Sequence, residues 1–174
     1  DYSTLKTIRQ TGGIVPDEFW DVNKAKVFEV IDLLDDLSVS YLSFHFGFLD
    51  LDNPKLLKRV RLLADYAGSK GLMLLMETGQ ETAEELTEFL HITDHPALGI
   101  NFDPANMILY GKGDPIKSLD RLQKWVWHIH LKDAVPSNHK GIWGIEVPWG
   151  RGKVDAGRFL KQLEQIQYAD VILR

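Results

Sequence analysis

The chain has 174 residues, 44% hydrophobic and 26% charged, with a net charge of −5; this suits one globular core and supplies no basic field to recruit nucleic acid or an acidic membrane. It has no cysteine, which excludes disulfides, thiolate zinc sites and cysteine nucleophiles and fits a reducing, cytoplasmic location. Its apolar runs fall far short of the ~20 residues of a membrane span, and the opening DYSTLKTIRQ is neither a signal peptide nor a hydrophobic anchor.

Residues 1–19 show no periodicity, and Gly12, Gly13 and Pro16 mark a loop. Apolar residues at Val22, Ala25, Val27, Val30, Ile31, Leu33, Leu34 and Leu37 predict a helix over 21–37 with one buried stripe. A short apolar run predicts a strand over 41–46. Pro54 then opens a helix to about Ser69, with Leu56, Leu57, Val60, Leu63 and Ala64 inward. Gly71 ends that helix, and 72–76 reads as the next strand. Thr82 and Glu85 have the spacing of a capping box at the start of a helix that carries Leu86, Phe89 and Leu90. Asp94, His95 and Pro96 stop it. A strand over 98–102, a helix from Asp114-Pro115 to about Lys124 and a strand over 125–131 follow. The glycine- and proline-containing stretch 132–155 reads as a long loop, before a helix to about Ile166 and a short strand over 171–173. Five fully apolar strands alternating with helices imply a parallel sheet covered on both faces, an α/β fold.

Four strands run into polar residues that could meet a metal or a substrate: His45, Glu77, Asp103 and His130. The intervals of 32, 26 and 27 residues match one unit of a (β/α)8 barrel, roughly 30 residues, and in that fold the strand C-termini converge on the active site. A carboxylate at the end of an apolar strand is costly unless a cation or proton compensates it. Glu77 alone could be a salt-bridged carboxylate, and Asp103, followed by Pro104, could be a turn opener. Two carboxylates at successive strand ends repel each other, so burying both makes sense around a shared divalent metal. His128 and His130 fall on one face of their strand. His130 is the better ligand, and His128 suits a hydrogen-bonded supporting place. Two carboxylates and an imidazole suit Mn²⁺, Mg²⁺, Co²⁺ or Zn²⁺. His45 is assigned to the substrate, as is Lys132; Asp133 is either substrate-facing or solvated. Gly150-Arg151-Gly152-Lys153 could hold an anion, although it lacks the P-loop pattern. Glu146 fits either a loop or a lid over the site.

Taken together, the stretches DYSTL, TGGIVPDE, FHFGF, ETGQETAEEL, GINFDPANMILYGKGDP, HIHLKDA and WGIEVPWGRGKVD resemble the xylose isomerase-like TIM barrels, a superfamily of sugar (and sugar phosphate) isomerases, epimerases and related enzymes. The resemblance implies a single (β/α)8 domain over 1–174, incomplete here: from the loop after the third strand to a cut-short eighth. It implies a divalent metal held by glutamate, aspartate, histidine and a second glutamate, of which the first three map onto Glu77, Asp103 and His130. The last strand reads YADVILR, with Leu173 near the fourth ligand's place, so that glutamate is either absent or beyond Arg174. The implied chemistry is isomerisation or epimerisation of a keto sugar by proton transfer through a metal-bound enediolate, with Glu77 as ligand and base and Asn106 at the substrate. A keto-inositol dehydratase needs the same metal and base, and a non-catalytic sugar-binding homologue is a third reading. Endonucleases of the superfamily carry a histidine where this chain has Asn106, and an Asp-Arg-His motif where it reads WGIEVP. The expected partner is therefore a small sugar, with no nucleic acid and no membrane; a homo-oligomer is compatible with the sequence.

Overall fold

The computed structural model describes residues 13–139 and 144–173; the readings made over 1–12 lie outside the described residues. The elements are α1 (Trp20–Asp36), β1 (Tyr41–Phe44), α2 (Pro54–Ser69), β2 (Met73–Glu77), α3 (Ala83–Thr93), β3 (Leu98–Phe102), α4 (Pro104–Tyr110), α5 (Pro115–Leu122), β4 (Val126–His130), β5 (Asp133–Val135), β6 (Ile145–Val147), α6 (Ala156–Gln165) and β7 (Val171–Leu173). The larger sheet has the order β1-β2-β3-β4-β7, so the strands follow one another as they do in sequence. The pairs β1–β2, β3–β4 and β4–β7 are parallel. This is α/β architecture with the strand order of an incomplete (β/α)8 barrel.

Two compact units divide the chain: Asp1–Met76 with Phe89–Gly99, and Glu77–Glu88 with Ile100–Arg174. In the first, Asn53 accepts the Lys55 amide at 3.0 Å and Pro54 fills the first helical position, so α2 starts where the sequence predicts. Its inward face buries Leu56, Val60, Leu63, Ala64 and Ala67 completely. Arg59, also buried, spends its guanidinium on the Ile14 and Val15 carbonyls and on Asp17, which ties the segment before α1 to α2. The Leu74 amide donates to Ala97 O (2.8 Å), joining β2 to the approach of β3.

The second unit is built on β3 and β4. Ile100 and Phe102 have no exposure, and Phe102 stacks on Phe159 of α6 at 6.0 Å between ring centroids. Ile116, Leu119 and Leu122 form the buried stripe of α5 at helical spacing. Pairing Phe102 with Ile129 leaves Asn101, Asp103, His128 and His130 on the opposite face, by the period of two. That is the face that carries the polar cluster.

Four expectations need correction. The 21–37 helix forms, but its stripe is not buried: Ile31 is its only buried residue, while Val22, Val30, Leu33 and Leu37 are exposed. β1 stops at Phe44 rather than Phe46, because the Phe46 carbonyl accepts the Ile14 amide instead of continuing the ladder. Asp103-Pro104 opens a helix, α4, rather than a bare turn. The stretch 132–155 is not all loop, since β5 and β6 pair antiparallel, Asp133 with Val147 and Val135 with Ile145.

Candidate metal centre

Glu77 is the last residue of β2, and the backbone just past it is fixed tightly. The Thr78 amide donates to Asn101 O at 3.0 Å. The Thr78 hydroxyl accepts the Asp103 amide at 2.8 Å and donates to the Asp103 carbonyl at 3.3 Å. Gly79 follows at φ 137°, where a Cβ would stand 2.4 Å from Asn106 Cβ, so only glycine lets this turn lie against α4. Asp103 has no exposure and caps α4, its Oδ1 accepting the Asn106 amide at 3.1 Å. Asn106 Nδ2 donates to Glu77 Oε1, also at 3.1 Å. Two local rules, a strand end and a helix cap, thus bring two carboxylates together.

His130 closes the cluster from the end of β4. Its Nδ1 lies 3.4 Å from Asp103 Oδ2 and 3.5 Å from Glu77 Oε1. One ligand atom from each of Glu77, Asp103 and His130 lies within 4.8 Å of the others. Neighbouring ligands of a metal with ~2.1 Å bonds stand roughly 3.0–3.4 Å apart, so the set fits one divalent ion with small adjustment. The donors are two hard oxygens and a borderline nitrogen, which is the predicted set. Such an ion would act there as a Lewis acid, polarising a substrate oxygen.

Without a metal, protons and Lys132 balance the carboxylates. Hydrogen bonds to Asp103 and Glu77 raise the His130 pKa to about 9. Burial pushes the Asp103 carboxyl up, but the His130 ring, the Lys132 ammonium and the Asn106 amide together hold it below its ordinary value. Burial works to lower the Lys132 pKa; attraction to Asp103 outweighs it and the value is raised. His128 is depressed, first by burial and then by the neighbouring His130 charge. His128 is thus a buried ring beside His130, at 5.2 Å edge-on, rather than a member of the ligand cluster.

Lys132 Nζ sits 3.1 Å from Asp103 Oδ2 and 3.8 Å from Glu146 Oε1 on β6, linking the hairpin to the carboxylates. Asp133 does not face a substrate. It is 1% exposed and takes four backbone amides: Ala134 (2.9 Å) and Val154 (3.0 Å) on Oδ1, Gly150 (3.1 Å) and Gly152 (2.8 Å) on Oδ2. The glycine-rich 150–153 segment does hold an anion, and that anion is the chain's own Asp133 carboxylate. A Cβ on Gly152 would fall 2.1 Å from Asp133 Oδ1, which explains the glycine. Leu173 pairs with His130 in the β4–β7 register and is 54% exposed. His45 follows β1 in the other compact unit.

Two residues at the centre were not singled out from sequence. Thr78 follows Glu77 directly, and a hydroxyl beside a strand-end carboxylate is a weak signal. Asn101 stands two residues before Asp103, so the strand period alone puts it on the same face. Its Nδ2 lies 3.2 Å from His130 Nε2.

Comparisons with known proteins agree with this architecture. The Xylose isomerase-like TIM barrel family matches residues 12–173. A xylose isomerase domain protein from Planctomyces limnophilus superposes with a TM-score of 0.94 at 37% identity, covering 100% of this chain and 66% of its own. A D-allulose 3-epimerase from Methylomonas sp., solved in complex with D-allulose, shares the fold at a TM-score of 0.68 and 22% identity, with 90% of this chain and 57% of its own covered. An inosose dehydratase from Lacticaseibacillus casei is 30% identical over 91 residues, 50% of this chain and 30% of the dehydratase. The chain therefore spans about a third of that relative's length. With a barrel-ordered parallel sheet and a family match over nearly its whole length, this chain belongs to the xylose isomerase-like TIM barrel family.

Proposed function

We propose that the protein is a divalent-metal-dependent isomerase or epimerase of a keto sugar or its phosphate, and that Glu77, Asp103 and His130 hold the metal. The observation that carries this reading is the convergence of those three side chains within 4.8 Å at strand ends. Asp103, fully buried and committed to a helix cap, is suited only to ligation. Glu77 keeps partial exposure, with 15% of its side chain accessible, and can also receive a proton.

In this reading Glu77 takes the proton from the carbon next to a carbonyl, and the electron pair left behind shifts toward the carbonyl oxygen. Asn106 orients the Glu77 carboxylate through its 3.1 Å bond. Lys132, a third exposed, is placed to donate to a substrate oxygen once it leaves Asp103. Returning the proton to the former carbonyl carbon, while the hydroxyl proton of the first carbon passes to the other oxygen and the carbonyl re-forms there, is isomerisation; returning one to the other face of the same carbon is epimerisation. Epimerisation needs a second acid, which the family resemblance assigns to a glutamate on the last strand, where β7 carries Val171, Ile172 and Leu173.

A second reading, dehydration of a keto-inositol or related ring, draws support from the inosose dehydratase match. It shares the proton abstraction by Glu77 and then expels a hydroxyl as water. Incubating the protein and Mn²⁺ in D2O with ketoses and, in parallel, with a keto-inositol separates the two. Deuterium entering at C2 or C3 without loss of water supports the isomerase reading; a dehydrated product supports the lyase; neither, with no bound divalent ion, contradicts both. Glu77→Gln should abolish exchange while the circular dichroism spectrum stays unchanged, and exchange at the unsubstituted rate would remove Glu77 as the base.

A further inference from the structure

We propose that Asn101 is a positioning residue that fixes which nitrogen of His130 faces the two carboxylates. Asn101 is completely buried on β3, one layer below Asp103, and its amide meets His130 Nε2 at 3.2 Å. That contact leaves Nδ1 turned toward Asp103 and Glu77, at 3.4 and 3.5 Å. His128 lies edge-on beside the same ring and narrows its freedom further. If the ring turned over about its Cβ–Cγ bond, carbon atoms would replace Nδ1 at the carboxylates.

An amide is well matched to this place because it can serve both forms of the ring. When the ring is neutral with its hydrogen on Nδ1, Nε2 is bare and accepts from the Asn101 NH2. When Nε2 carries a hydrogen, either in the doubly protonated ring or once Nδ1 gives its lone pair to a cation, the Asn101 oxygen accepts it after a half-turn of the amide. The ring keeps one pose in both forms. Ligating histidines generally depend on such a partner at the second nitrogen, and its loss weakens metal binding by ~10–100-fold.

The inference rests on the metal reading above, and two substitutions in the full chain, Asn101→Leu and Asn101→Asp, separate the two. Mn²⁺ affinity is read by calorimetry, and the His130 ring by ¹H–¹⁵N spectra with Mg²⁺ bound. Asn101→Leu should bind Mn²⁺ ~10–100-fold more weakly and lose the hydrogen-bonded Nε2–H signal. Asn101→Asp, which still accepts from Nε2–H, should bind at least as tightly as the unsubstituted chain and keep that signal. A merely structural role predicts the opposite order, because a buried carboxylate disturbs a core more than leucine does. Asn101→Asp thus decides the matter even if Asn101→Leu fails to fold. Leucine binding as tightly as asparagine, or aspartate binding more weakly than asparagine, overturns the role of Asn101 alone. No Mn²⁺ binding by the unsubstituted chain overturns the metal reading and this inference together.

Discussion

At the scale of the residue, the cluster concentrates negative charge, and the Asp103 carboxylate at its base is out of reach of water. Asp103 has no exposure, and an uncompensated carboxylate there would be strongly destabilising. Compensation comes from His130 and Lys132, and it depends on pH. The His130 pKa is raised above its ordinary value of 6.5 to about 9, so its contribution to stability is fully present below about pH 6.5 and is lost as pH rises through about 9. Asp103 is depressed, so its contribution holds above the ordinary carboxylate range and is lost as pH falls through its lower folded value. Urea titrations of metal-free protein should show the midpoint falling between pH 6.5 and 9, and His130→Asn should flatten that slope. A slope unchanged by the substitution would mean that His130 does not carry the proton. Because a divalent ion must displace that proton, Mn²⁺ affinity should climb over the same interval.

Asp133 shows how a charged residue next to a site can be wholly architectural. Four backbone amides converge on it, and an unsatisfied buried donor costs about 1–3 kcal/mol. Asp133→Ala should therefore lower unfolding free energy by at least ~3 kcal/mol, read from denaturant curves; a loss under ~1 kcal/mol would show that the 148–154 segment finds other acceptors. From sequence Asp133 looked like an exposed loop charge beside Lys132. Only the return of Gly150, Gly152 and Val154 across 17 to 21 residues of chain reveals its role, and no local pattern encodes that return.

At the scale of the element, what was legible is what local chemistry decides. Asn53-Pro54, Asp114-Pro115 and the Thr82–Glu85 box start helices where their side chains predict. In the box, the Thr82 amide donates to Glu85 Oε2 at 2.7 Å and the Glu85 amide to Thr82 Oγ1 at 3.2 Å. Thr82→Ala should cost ~1 kcal/mol in urea unfolding without changing the denaturant slope; an effect near zero would show that packing of Leu86, Phe89 and Leu90 alone sets this helix. What was not legible needed partners distant in sequence. α4 is only seven residues long, and Asp103-Pro104 fits a turn as well as a helix cap; the contacts of Asn106 and Thr78 stabilise the helical alternative. The β5–β6 hairpin is hidden because its strands are three residues each, with β5 mostly buried and β6 mostly exposed, too short for an alternating pattern to register. The α1 stripe misled in the other direction: helical spacing reveals an apolar face but not whether anything covers it.

At the scale of the whole molecule, the recurrence of chemistry-bearing residues every 26 to 32 positions carried both the fold class and the site. It works because each strand–helix unit returns the chain to the same end of the sheet, so one residue per unit reaches a common centre. Three of the four strand-end residues meet there, all within one compact unit. Among the described residues, no helix is long and apolar enough to cross a membrane. A ligand that binds only the folded form adds about 2.7 kcal/mol at one hundred times its dissociation constant. Saturating Mn²⁺ should therefore raise the melting temperature, and a chelator should reverse the shift; a melting temperature indifferent to both would argue against a shared ion.

The most direct test is a calorimetric Mn²⁺ titration of the protein beside its Asp103→Asn variant. Asparagine preserves the cap on α4, because its Oδ1 can still accept the Asn106 amide, while it removes the buried charge. The account predicts one ion per unsubstituted chain and at least tenfold weaker binding in the variant, with folding intact. No ion bound by the unsubstituted chain, or equal affinity in the two, would contradict it.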